Sequence, residues 1–254
     1  MASVMKMLLW GWIILDCGLC SVSLPEITDG KFIDECVRKH NEARSSVNPP
    51  ASDMLYMTWD EGLAITARAW ARKCLFEHNT DLKYVRRMHP TFSSVGENIW
   101  AGYPPSHFDV MRAIKNWVDE KQHYRYSSNS CTKVCGHYTQ VVWASTYKVG
   151  CAAQLCTNGV KNTNFASEEG VIFVCNYATA GNVNGRQPYN HQGKACSGCN
   201  GTCEANLCRY SWTPAWDSAS NYGLILAVRP IALIFTFITA YVVRHFYPDV
   251  FCYE

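Results

Sequence analysis

The chain has 254 residues, of which 14 are cysteine, 48% are hydrophobic and 17% are charged, with a net charge of +2. This length accommodates one domain with its own hydrophobic core and short accessory segments. An aromatic content of 13% excludes an intrinsically disordered chain, and the near-neutral charge argues against nucleic acid as a partner. The many cysteines indicate a disulfide-bonded protein of the secretory pathway.

Residues 1–23 have the pattern of a signal peptide. Lys6 gives a weakly positive start, residues 7–15 are apolar, and small residues follow up to Ser23. The alternative is a buried N-terminal helix. Residues 24–26, Leu-Pro-Glu, resemble the exposed start of a mature chain, which argues against a buried helix. We therefore expect export, which also accounts for the cysteines.

A second apolar block lies near the C-terminus. Residues 231–243 carry no charge, and extension to 223–247 gives the length of a membrane span. We expect a stalk over 210–222, a single-pass anchor over 223–247 and a cytoplasmic tail over 248–254, with the domain on the extracellular face. A lipid-anchored or secreted chain and a buried core helix remain alternatives.

Residues 30–125 show helical periodicity in three segments, and all three are predicted to be amphipathic helices. The first has one mostly apolar face, the second begins with the capping-box pattern Thr58-Trp-Asp-Glu61, and the third covers roughly 108–124. Their face-forming positions are Ile33, Cys36, Val37, His40 and Arg44; Leu63, Ala67, Trp70, Ala71 and Cys74; and Val110, Met111, Ile114, Trp117 and Val118.

Three later segments are predicted to be strands: residues 137–143, 147–155 and 171–177. The first two alternate between apolar and other residues, and the third is a short apolar run. Helices followed by strands favour an α+β fold with an antiparallel sheet.

Residues 191–209 differ in composition from the domain that precedes them. Cys196, Cys199, Cys203 and Cys208 lie within thirteen residues, with Gly and Asn between them. In an exported chain this spacing favours a small disulfide-bonded module over a zinc site. Asn200 begins the glycosylation sequon Asn-Gly-Thr and, if used, lies on the surface.

Four residues are candidates for chemistry: His78, Glu97, Glu120 and His137. Glu120 follows Trp117 on the third predicted helix, where an unpaired buried charge would be costly. Taken singly, each residue also has a purely structural interpretation, and spacing does not bring the four together. The common hydrolase and nucleotide-binding motifs are absent from the sequence.

Four motifs follow one another along the chain: His40-Asn-x-x-Arg44, Gly96-Glu-Asn-Ile99, Gly136-His-Tyr-Thr-Gln-Val-Val-Trp143 and Cys175-Asn-Tyr177 with Gly181-Asn182. Through these motifs the sequence resembles the CAP superfamily of cysteine-rich secretory, antigen 5 and pathogenesis-related proteins, over about residues 30–190. Within it, the resemblance is closest to the glioma pathogenesis-related proteins. The long channel-regulating Cys-rich domain of other members is absent.

The resemblance implies an α-β-α sandwich with a large cleft, formed by a CAP domain over residues 24–190. It places His78, His137, Glu97 and Glu120 in that cleft, with zinc held by the two histidines and the glutamates alongside. Neutral imidazoles suit zinc, and neighbouring carboxylates fix their tautomers. Since two protein ligands are few for zinc, we expect weak, reversible binding.

The resemblance also implies five disulfides. Cys36 remains unpaired on an apolar helix face; it is either a buried, inert thiol or part of an intermolecular bridge. Cys252 lies beyond the predicted membrane segment. The implied pairs are Cys74–Cys156, Cys151–Cys175, Cys131–Cys135, Cys196–Cys203 and Cys199–Cys208.

Three functions follow as hypotheses. The resemblance favours a non-enzymatic binding module for a lipid or sterol, a peptide or a receptor, in defence or cell-surface signalling. The second is a zinc-dependent hydrolase in which Glu97 or Glu120 is the general base. The third is a structural or adhesive ectodomain in which the four polar residues form only a buried network.

Overall fold

The computed structural model describes residues 23–84, 87–209, 234–243 and 245–246. The chain divides into two compact units, Met1–Tyr210 and Ser211–Glu254. The predicted stalk and the predicted signal peptide, apart from Ser23, lie outside the described residues.

The first unit contains the three expected helices and a fourth. Aspartates begin the first three: the side chains of Asp29, Asp60 and Asp109 each accept a hydrogen bond from a backbone amide of the first turn. The helices are α1 (Gly30–Ser45), α2 (Glu61–Ala71), α3 (Val110–Asp119) and α4 (Gly136–Val141).

The main sheet has four strands in the order β1-β5-β6-β2, and two small hairpins complete the β-structure. The β5–β6 and β6–β2 pairs are antiparallel, as predicted for the sheet, whereas β1 runs parallel to β5. The strands are β1 (Thr58–Trp59), β2 (Gly96–Gly102), β3 (Tyr124–Arg125), β4 (Ser130–Cys131), β5 (Lys148–Cys156), β6 (Gly170–Ala178), β7 (Cys203–Glu204) and β8 (Leu207–Cys208).

Helices cover both faces of the sheet, which makes the first unit an α-β-α sandwich. All nine residues of β6 are buried. Its Phe173, Cys175 and Tyr177 join a core with residues of α1, α3 and α4, whereas Ile172 and Val174 join a second core with α2. The alternation of strand side chains explains this division.

Three details of the helix predictions are wrong. Thr58 belongs to β1 rather than to a capping box, and Asp60 caps α2 through a 2.9 Å bond from the Leu63 amide. Cys74 lies beyond the end of α2, with φ of 50°. The third helix is shorter than predicted, because a 3-10 turn over Glu120–His123 follows α3.

Residues 137–143 are not a strand: Gly136–Val141 forms α4. The carboxylate of Glu120 accepts hydrogen bonds from the backbone amides of His137 and Tyr138, at 3.0 and 3.2 Å. These amides belong to the first turn of the helix, where amides have no partner within the helix itself. The contact with Glu120 therefore outweighs the alternating apolar pattern of residues 137–143, which by itself favours a strand.

All five implied disulfides are present in the structure. Cys151 and Cys175 are directly opposite each other on β5 and β6. Cys36 is a free, fully buried thiol, and burial raises its pKa well above the usual value. This environment favours the interpretation of Cys36 as an inert thiol over an intermolecular bridge.

The small module docks on the main domain through backbone hydrogen bonds. The Cys208 amide donates to the Met54 carbonyl at 2.7 Å, and the Tyr56 amide donates to the Cys208 carbonyl at 2.8 Å. Leu207 is buried in the larger core, and Asn200 is exposed.

In the second unit, residues 234–243 are helical. Within the described part of the chain, none of the helices has the length and apolar character needed to span a membrane.

Candidate functional site

The first half of the candidate site is the pair His78 and Glu97. His78 lies in the loop after α2 and its side chain is 67% exposed, whereas Glu97 on β2 is 1% exposed. The Nδ1 atom of His78 is 3.0 Å from Oε1 of Glu97. This hydrogen bond raises the pKa of His78, although partial burial opposes the shift.

The buried carboxylate of Glu97 has further partners on both oxygens. Its Oε1 also accepts from the Asn79 amide at 2.9 Å, and its Oε2 accepts from Nδ2 of Asn176 at 3.3 Å. Asn176 is the register partner of Glu97 on β6. The strand pairing therefore fixes the carboxylate, and the carboxylate in turn orients His78.

The second half is the pair His137 and Glu120. Oε1 of Glu120 lies 2.6 Å from Nδ1 of His137, and its Oε2 accepts the two α4 amides described above. Burial opposes ionisation of Glu120, but the hydrogen bonds and charge of His137 outweigh it, so the pKa of Glu120 lies below its usual value. Trp117 stacks on the imidazole with ring centroids 6.2 Å apart.

The two halves are connected by residues that the sequence did not single out for function. Asn98, beside Glu97 on β2, donates its Nδ2 to the backbone carbonyl of His137 at 3.1 Å and to the Tyr177 hydroxyl at 3.3 Å. The Tyr177 hydroxyl in turn lies 2.8 Å from Nε2 of His40. Both Asn98 and His40 lie inside the motifs quoted in the sequence analysis. Those motifs are the sequence signal that could have identified them.

The arrangement of the imidazoles determines what they can bind. A carboxylate only accepts hydrogen bonds, so the proton of each neutral imidazole resides on Nδ1. The Nε2 atom of His78 and that of His137 are then available as metal ligands, with a carboxylate behind each ring. This donor set fits zinc.

The four side chains nevertheless form two pairs rather than one compact cluster. Among the described residues, the sole group of three or more potential ligand atoms within 4.8 Å of one another is Cys196, Cys199 and Cys208. These sulfurs are engaged in disulfides. Any metal at the candidate site would therefore depend on the two imidazoles.

The model of the cysteine-rich secretory protein family, CAP, matches residues 37–177, which is more than half of the chain and includes both pairs. The chain belongs to the CAP family. CAP proteins are generally extracellular or secreted.

Two curated CAP proteins align along most of their length. GLIPR1-like protein 1 of Bos taurus is 46% identical over 237 residues, covering 88% of this chain and 95% of the relative. Glioma pathogenesis-related protein 1 of Mus musculus is 42% identical over 246 residues, covering 89% of each. A crystal structure described as NaASP2 with Zn2+ has a TM-score of 0.55 at 27% identity, covering 73% of this chain and 100% of that one.

Proposed function

We propose that this CAP protein is a membrane-tethered extracellular binding module for a lipid or sterol, a peptide or a receptor, in defence or cell-surface signalling. Its two histidines bind zinc weakly, and the protein catalyses no reaction at this site. The observation that carries the proposal is the engagement of both carboxylates, whose oxygens all accept hydrogen bonds from the protein.

A hydrolase with a glutamate general base requires a carboxylate within reach of a reacting water. Glu97 is 1% exposed, and its oxygens bind His78, Asn79 and Asn176. Using it as a base would break bonds that hold the site together. The carboxylates instead orient the imidazoles, so we assign them a positioning role.

A purely structural network is the other alternative. Such a network is expected to bury its members, because buried polar groups gain most from being fully satisfied. His78, at 67% exposure, does not meet this expectation, and its Nε2 is free to meet a ligand from solution. The partial exposure of His137, at 26%, agrees with the same role.

The bound zinc would supply a positive charge and an open coordination position for an oxygen of the partner. His78 and His137 would hold the ion. Glu97 and Glu120 would keep both rings in the Nδ1-protonated form, and Trp117 would keep the plane of the second ring in place. That a relative was crystallised with Zn2+ supports the proposal.

Tethering rests on the sequence of residues 231–243, an uncharged apolar run. Its described side chains Ile234, Phe235 and Phe237 are more than half exposed. We expect the full chain to partition into the detergent phase and a chain ending at residue 222 to be released into the medium. Release of both would contradict tethering.

The function is tested by a turnover screen on the full chain in non-ionic detergent, with peptide and ester libraries, in zinc and in chelator. We expect no zinc-dependent cleavage by folded protein. A zinc-dependent activity that is abolished in His78→Ala/His137→Ala but retained in His107→Ala/His191→Ala would replace the binding module with an enzyme. The control pair removes two exposed histidines outside the site.

A further inference from the structure

The positive charge of the chain is concentrated in one segment. Residues 68–87 contain six Lys and Arg against two Asp and Glu, a net charge of +4. The other residues contain 17 against 19, a net charge of −2, so this segment accounts for the positive sign of the whole chain. A locally basic surface on a near-neutral protein favours an anionic partner.

The basic side chains of this segment reach solvent. Arg72, Lys73, Lys83 and Arg87 are exposed. Among the described residues, Arg72 and Lys73 have no carboxylate within 4.0 Å, whereas Arg87 is 3.5 Å from Asp81. A partially exposed ion pair of this kind contributes little and can exchange partners.

Two of these cations converge on one groove beside α2, which we name the basic groove. It has a volume of about 330 Å³, and Lys73 from the end of α2 and Arg87 from the later loop both line it. Its lining also contains the apolar side chains Ile65, Trp70 and Met88, together with Asp81, the ion-pair partner of Arg87. Nζ of Lys73 lies 4.0 Å from the centroid of a Trp70 ring, so charge and an aromatic surface are adjacent.

We propose that the basic groove binds a sulfated glycosaminoglycan. Sulfate groups match the convergent ammonium and guanidinium groups, and the apolar lining accommodates the carbon face of a sugar ring. CAP proteins are generally extracellular or secreted, and sulfated glycosaminoglycans are abundant polyanions outside the cell. The basic groove goes beyond the proposed function, because it involves neither of the two histidines.

Heparin is the probe, and the full chain in non-ionic detergent is the protein to test. Affinity is measured at several salt concentrations for wild type, Lys73→Gln/Arg87→Gln and Arg112→Gln/Lys115→Gln. The third protein is the matched control, since it loses two exposed cations from α3 instead. Lys73→Gln alone is a milder substitution at an exposed side chain of the groove, and it guards against misfolding of the double variant.

We expect the groove double variant to bind heparin at least tenfold more weakly, with the slope of log affinity against log salt reduced by about two. Lys73→Gln alone should reduce that slope by about one. The control double variant and His78→Ala/His137→Ala should bind like wild type. Retained heparin binding in the histidine variant separates this proposal from the zinc site.

Three results would overturn the proposal. The first is unchanged heparin affinity in both Lys73→Gln/Arg87→Gln and Lys73→Gln alone. The second is an equal loss in the α3 control, which would indicate attraction by net charge alone. The third is equally tight binding of hyaluronan, which carries carboxylates but no sulfate.

Discussion

The side-chain amide of Asn98 lies 3.1 Å from the backbone carbonyl oxygen of His137, and this hydrogen bond connects β2 to α4. Glu97 is the neighbour of Asn98 in the chain, and His137 is bound to Glu120. Asn98 therefore contributes to the relative position of the two histidine–glutamate pairs. Asn98 is 1% exposed, so water does not replace the bond.

Replacing Asn98 with alanine should weaken zinc binding about tenfold, as is typical when a group that orients a metal ligand is lost. Each histidine keeps its own glutamate, so binding should fall rather than disappear. Zinc affinity is measured by calorimetry, with Asn158→Ala, an exposed asparagine, as the control. Wild-type affinity in folded Asn98→Ala would show that the two pairs are positioned independently.

The buried imidazole of His40 should make stability depend on pH. Burial disfavours its charged form and lowers its pKa to about 4, although a backbone bond to Cys36 acts in the opposite direction. In the unfolded chain its pKa is about 6.5, so the unfolded state binds the extra proton first. The stabilisation from neutral His40 is complete above pH 6.5 and is lost as pH falls to 4, by about 3 kcal/mol.

This loss is measured as the free energy of unfolding by denaturant at a series of pH values, for wild type and His40→Gln. The variant lacks the titrating ring, so its curve should be flatter by that amount between pH 6.5 and 4. Parallel curves in this range would show that the His40 environment does not disfavour the charged ring.

Arg44 is buried at 1% exposure and donates six hydrogen bonds to backbone carbonyls. The accepting carbonyls belong to Leu55 before β1, to Val141 at the end of α4, and to Trp143, Ala144 and Thr146 after α4. Arg44→Met leaves these carbonyl oxygens without their donors at about 1–3 kcal/mol each, so we expect a loss of at least about 3 kcal/mol in the free energy of unfolding. Arg38→Met, on the exposed face of the same helix, should change it by less than about 0.5 kcal/mol. Similar losses in the two variants would refute the role assigned to Arg44.

The disulfides should differ in their contribution because they close loops of different length. Cys74–Cys156 spans a separation of 82 residues and Cys131–Cys135 a separation of 4. From loop entropy, replacing the first pair with alanine should cost about 4.5 kcal/mol and the second about 2 kcal/mol. Denaturant unfolding measures both, and a larger cost for the short loop would contradict the entropic explanation.

Periodicity predicted the elements in which local pattern and final environment agree. The first helix, with one face against the sheet, matches α1, and two predicted strands match β5 and β6 within one residue at either end. β6 is buried along its whole length, and β5 buries Val149 and Cys151 of its predicted apolar face but leaves Ala153 and Leu155 partly exposed. α1 buries Cys36, His40 and Arg44 of its predicted face.

The errors occur where distant contacts determine the structure. Residues 137–143 alternate like a strand, yet Glu120 binds the first amides of α4 from outside that segment. The segment Gly96–Gly102 shows little alternation, yet it forms β2 because all seven residues pair with β6. Neither partner can be found from a local window.

The candidate site was predictable only in part. The resemblance to the CAP superfamily supplied the four residues His78, Glu97, Glu120 and His137, although spacing alone could not bring them together. It did not state which glutamate binds which histidine. That pairing follows from the structure around each carboxylate. The β2–β6 register fixes Glu97, and the first turn of α4 fixes Glu120.

Zinc titration of the full chain by calorimetry tests the central claim most directly. We predict one weakly bound zinc ion in wild type and in His107→Ala/His191→Ala, and none in folded His78→Ala/His137→Ala. Equal zinc binding in all three proteins, or no binding in any of them, would contradict the account.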